Sequence, residues 1–143
     1  MLMRRRQGGF SLIEVMVVVA IVGILLLVGL PGFQSQLTKG RRADGMQALQ
    51  NVAGRQEKFM LDRGTYTLDL TELGFDASPM PSEEGHYSIS AAAGTCGNID
   101  NCYLLTATPL ASSPQSDDAL CGNLTLSSTG AKGASGSLGD DCW

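Results

Sequence analysis

One stretch limits what this chain can fold into more than any other. From Val15 to Leu30 there are 16 residues without a polar side chain, and from Phe10 to Leu30 only Ser11 and Glu14 are polar. As a helix, those 21 residues span about 31 Å, matching a hydrocarbon core of about 30 Å. Arg4, Arg5 and Arg6 precede the run. The positive-inside rule therefore keeps the N-terminus in the cytoplasm and sends the C-terminus outward. A discarded secretory signal fits poorly, because such apolar cores run about 7–15 residues and end at a small-x-small cleavage site. A plain single-span anchor remains open on length alone.

Glu14 narrows the choice. A carboxylate in an apolar span costs on the order of 2–3 kcal/mol by insertion scales, so it normally has a cationic partner. No Lys, Arg or His lies one turn away in sequence. A cut between Gly9 and Phe10 would create an amine four residues before Glu14, on the same helix or on a neighbouring copy.

Charge divides the rest of the chain. Of ten basic residues only Lys132 follows Arg63, whereas ten acidic residues and all four cysteines lie between 64 and 143. The net charge of −4 and this acidic head argue against nucleic acid as a partner. Gly23, Gly29 and Leu30-Pro31-Gly32 predict a kink or break of the helix near 27–31, since Pro31 lacks an amide donor. From Phe33 to Asp62 the helical period returns: Met46, Leu49, Ala53 and Met60 form an apolar stripe, with Val52 and Phe59 beside it. Arg63-Gly64 is the expected stop. Lys39, Arg41 and Arg42 are expected at lipid headgroups, in solvent or against acidic heads of neighbours.

Asp69 to Gly74 has capping-box spacing and predicts one helical turn. Residues 77–84 read as loop, as does the Gly/Ser/Ala-rich tail 130–139. Strands are predicted at Tyr87–Ala92, Tyr103–Thr108 and Asn123–Ser127. An antiparallel sheet laid on the helix stripe would bury one face of each, an α+β arrangement. The four cysteines suit an oxidising compartment and allow three pairings. Cys96–Cys102 and Cys121–Cys142 are favoured, the first closing a short loop and the second tying the tail to a strand. A zinc site lacks CxxC spacing and a second histidine. No nucleophile–base arrangement is present, so no catalytic residue and no cofactor are assigned. His86 reads as structural, and Asp117-Asp118 and Asp140-Asp141 as solvated acids rather than calcium ligands.

The sequence Arg4-Arg5-Arg6-Gln7-Gly8-Gly9-Phe10-Ser11-Leu12-Ile13-Glu14 with its apolar run resembles the class III signal of type IV prepilins. Gly64-Thr65-Tyr66, Tyr103-Leu104-Leu105-Thr106-Ala107-Thr108-Pro109, Cys121-Gly122-Asn123-Leu124-Thr125-Leu126 and Asp141-Cys142-Trp143 resemble the PilE-like minor pilins. The resemblance implies four segments: a leader 1–9 that is cleaved, a membrane and filament-core helix 10–31, an amphipathic helix 32–63 and a β-sheet head 64–143. It implies the pilin fold, with the apolar half of the helix protruding and Cys121–Cys142 bounding the D-region. It also implies N-methylation of Phe10 by a prepilin peptidase, and a Glu14–Phe10 charge pair between neighbours. The segment near Gly29 and Pro31 would melt within a filament. Implied partners are other major and minor pilins, the inner-membrane assembly platform and, before assembly, the lipid bilayer. The implied role is a pilus subunit acting in assembly, with twitching motility and adhesion as consequences. A major pilin, a type II secretion pseudopilin and a DNA-uptake receptor are the rival readings.

Overall fold

The computed structural model describes residues 9–143, with the side chains of Leu30 and Pro31 set apart. The leader assigned to 1–9 therefore lies, except for Gly9, outside the described residues. Contacts divide the chain into two units, the first ending at Leu37 and the second beginning at Thr38.

One helix, α1, runs Leu12–Arg63. The Ser11 hydroxyl starts it by accepting the Glu14 amide at 3.3 Å. Gly64, at φ 75°, ends it by returning its amide to the Met60 carbonyl at 2.8 Å. The helix runs through Gly29 and Pro31 as one element. Through Leu37 every side chain described on α1 is exposed, as expected for an apolar helix standing in no core of its own.

The second unit is built on a five-stranded antiparallel meander: β1 (Met80–Pro81), β2 (Tyr87–Ala93), β3 (Tyr103–Pro109), β4 (Leu124–Ser127) and β5 (Lys132–Ala134), in that spatial order. Period-2 alternation sends Tyr87 and Ile89, Tyr103, Leu105 and Ala107, and Leu124 and Leu126 to one face. Register aligns them, with Ile89 opposite Ala107, Leu105 opposite Leu126 and Ala107 opposite Leu124. That face meets Ala48, Leu49 and Val52 of α1 and Leu70 and Leu73 of the short 3-10 turn after it. Each fully buried Leu, Ile or Val contributes about 1.5–3 kcal/mol relative to exposure. β1 and β5 occupy segments expected to be loops, and both are edge strands of two and three residues.

Gly45 lets helix and sheet approach. A Cβ there would stand 2.8 Å from the Tyr87 ring, which is wholly buried. Asp69 caps the 3-10 turn by accepting the Thr71 amide at 2.9 Å, and Gly74 closes it at φ 85°. The reciprocal half of the expected capping box is absent: Glu72 bonds the Thr67 hydroxyl instead.

Candidate functional site

Two places carry the chemistry. The first is the start of α1. Phe10 is 83% exposed, and with Glu14, Val15, Val18 and Val19 it lines a shallow cleft on the apolar helix. Glu14 sits in the first helical turn, where the helix dipole favours a negative charge. Among the described residues no ion pair includes it. The helix is long and apolar enough to cross a membrane, and none of its apolar window is buried. A carboxylate on such a surface, carried into an apolar surrounding, is costly without a cationic partner.

The second place is where α1 joins the head. Arg42 makes a two-point ion pair with Asp118, Nε to Oδ2 at 2.6 Å and Nη2 to Oδ1 at 3.0 Å, and the carboxylate is 3% exposed. Gln115 donates to the same carboxylate at 2.8 Å. This corrects two expectations. Arg42 faces neither lipid nor solvent, and Asp118 is not a solvated acid, because guanidinium and carboxylate satisfy each other inside the head. Asp117, Asp140 and Asp141 are exposed, as expected. Asp44, also buried, accepts the Ser82 hydroxyl at 2.5 Å and the Glu84 and His86 amides at 3.1 and 3.3 Å, fixing the β1–β2 turn to α1. His86 spends its ring on Ser113, Nδ1 to Oγ at 2.8 Å.

Tyrosines mark the core. Burial pushes the Tyr87 phenol up to about 12, with nearby Asp118 and Asp44 adding to the rise and Gln115 and Arg42 opposing it. Tyr103 is raised by burial and then by its hydrogen bond to Glu57, and Tyr66 by burial and the Glu57 charge. The two rings meet edge to face at 4.8 Å over that shared carboxylate.

The disulfides are Cys96–Cys102 and Cys121–Cys142, and no described cysteine is free. The first closes the tip of the β2–β3 hairpin, which Asp100 fastens to Thr65 just past α1 at 2.9 Å. The second holds the tail, where Trp143 donates to the Gly133 carbonyl at 2.9 Å and Lys132 lies over its ring. Among the described residues no group of three or more His, Cys, Asp or Glu could hold a metal.

Sequence reasoning missed Asp44, Gly45 and Gln56. Gln56 is wholly buried and binds the Thr67 backbone in both directions, at 2.6 and 3.1 Å. A polar residue one turn beyond Val52 on a buried stripe was the available signal.

Comparison with known proteins gives a consistent picture. Residues 31–125 match the family described as type IV minor pilin ComP, DNA uptake sequence receptor, and residues 4–30 match the prokaryotic N-terminal methylation motif. The type IV major pilin protein PilA of Myxococcus xanthus is 34% identical over 91 residues, 64% of this chain and 40% of that protein. The fimbrial protein EcpC of Eikenella corrodens is 29% identical over 98 residues, 68% of this chain and 63% of its own. The chain thus spans less than two thirds of these relatives. A solved type IV pilin from Shewanella oneidensis superposes with a TM-score of 0.51 at 25% identity, covering 74% of this chain and 97% of that one.

Proposed function

The chain belongs to the type IV pilin superfamily, in the family of the minor pilin ComP, and from that membership we propose that it is a structural subunit of a type IV pilus, a minor pilin acting in assembly, and not an enzyme. The observation that carries this reading is Glu14, an ionisable side chain in the first turn of a helix whose apolar window is wholly exposed. In this reading the chain waits in the inner membrane with its head outside. A prepilin peptidase cuts after Gly9 and methylates the Phe10 amine, and the assembly platform extracts the subunit. Apolar helices then bundle, and Glu14 neutralises the Phe10 amine of a neighbour. A pair so poorly hydrated fixes register, because a misplaced partner leaves an uncompensated charge in an apolar core. The segment around Gly29 and Pro31 yields as the helix packs.

The mature N-terminus tests the proposal. Mass analysis is expected to find N-methylated Phe10, and any other terminus refutes the processing step. Glu14→Ala is expected to leave membrane insertion intact and abolish incorporation into fibres. Normal incorporation would remove the role given to Glu14.

A second reading, a DNA-uptake receptor, is favoured by the description of the matching family. Against it stands the head, where Lys132 faces ten acidic residues after Arg63. Receptor function predicts salt-dependent binding of a short duplex by the protein, with affinity falling as counterion release loses its advantage. No binding at low salt eliminates it.

A further inference from the structure

Arg42 is the first buried residue of α1 among those described, and it lies five positions past the division between Leu37 and Thr38. Its partner Asp118 stands 76 positions away, and the Asp118 backbone carbonyl accepts the Gly122 amide at 2.8 Å, next to Cys121 of the tail disulfide. Two residues on, Asp44 holds three donors of the β1–β2 turn. Thus the helix is gripped within three positions by two separate parts of the head, each through a buried carboxylate. Beyond them the grip is apolar, at Ala48, Leu49 and Val52.

We propose that Arg42 and Asp118 are positioning residues that set where α1 stops yielding, so that helix before Arg42 can bend or unwind while helix from Arg42 to Arg63 travels with the head as one body. The physical reason is the asymmetry of a buried ion pair. Unwinding one more turn past Arg42 would pull a guanidinium off a carboxylate that is 3% exposed and leave that carboxylate, with only Gln115 beside it, uncompensated. Before Arg42 the described side chains of α1 are exposed or, at Thr38 and Arg41, half-buried, so unwinding there strands no buried carboxylate. The buried pair therefore marks the point past which further unwinding strands a charge. The purpose of this anchor rests on the fibre-subunit reading, but its existence does not.

Trypsin tests it directly on the full chain in detergent micelles. The protease needs the Arg42 side chain in its own pocket and the local backbone out of the helix, so cutting after Arg41 or Arg42 reports opening of the anchor. Arg55, Lys58 and Arg63, further along the same helix, report loosening of the head as a whole. In the native protein, cleavage after exposed Lys39 should be fastest and cleavage after Arg42 slow. Asp118→Asn should speed cutting after Arg41 and Arg42 by about tenfold and leave the later sites within about twofold. Ser82→Ala, which removes one donor from Asp44 and the hydroxyl that accepts the His86 and Tyr87 amides, should give the same selectivity at about threefold. Equal acceleration at all sites would make the pair part of general stability and overturn the anchor. Unchanged cutting in both variants would overturn it as well. Neither result touches the fibre reading, which fails separately if the native protein is absent from purified fibres.

Discussion

The close approach of helix to sheet at Gly45 makes a quantitative prediction. Gly45 and Gly54 are both interior to α1, and replacing either with alanine should gain about 1 kcal/mol of helix propensity. At Gly54 a new Cβ meets nothing within 4 Å, so the gain should appear in full. At Gly45 the Cβ would stand 2.8 Å from Tyr87 Cδ2 and 3.0 Å from Cε2 and Cγ. Those contacts are against the body of a ring that is 0% exposed, not the far end of a flexible chain. Overpacking of this kind costs about 1–3 kcal/mol. Gly45→Ala should therefore range from neutral to about 2 kcal/mol destabilising, and the two variants should differ by about 1–3 kcal/mol. In thermal unfolding followed by near-ultraviolet circular dichroism, Gly54→Ala should raise Tm by about 4 °C. Gly45→Ala should leave Tm unchanged or lower it by up to about 8 °C. Equal stabilisation by both substitutions would refute the packing argument, because Tyr87 would then have room to withdraw at no cost.

Other consequences are as direct. Tyr66, Tyr87 and Tyr103 all have raised phenol pKa values, so the folded protein holds these protons above pH 10 while the unfolded chain releases them. The stability they contribute is complete below pH 10 and lost as pH climbs toward 12. Absorbance titration should show late tyrosinate formation coincident with unfolding, and ordinary titration near pH 10 in the folded state would contradict it. Replacing both Cys121 and Cys142 by alanine should cost about 3 kcal/mol on the chain-entropy account, and replacing Cys96 and Cys102 somewhat less, because their loop is shorter. Denaturant midpoints of the two double variants check the order.

What could be read in the sequence follows from interaction range. β2, β3 and β4 announced themselves because alternation is written every second residue, and α1 because its stripe repeats every three or four. β1 and β5 did not, since two or three residues such as Met80-Pro81 carry no period and become strands only by pairing with Ile89, Ser88 and the residues of β4. Arg42 looked like any cation beyond an apolar span. Nothing near it in sequence points to Asp118, and the alternative partners, lipid and solvent, are always available to a cation.

The sequence alone determined the apolar helix, its single carboxylate, the place of its C-terminal stop and the charge of the head. Each is a local matter of hydrophobic transfer, backbone conformation or counting charges. Only the tertiary structure decided which cation is withdrawn from the surface, which glycine lies against a buried ring and which glutamine is buried. Those outcomes depend on which distant atoms are brought within a few ångströms, and a carboxylate or a ring offers no sign of that until the chain has folded around it.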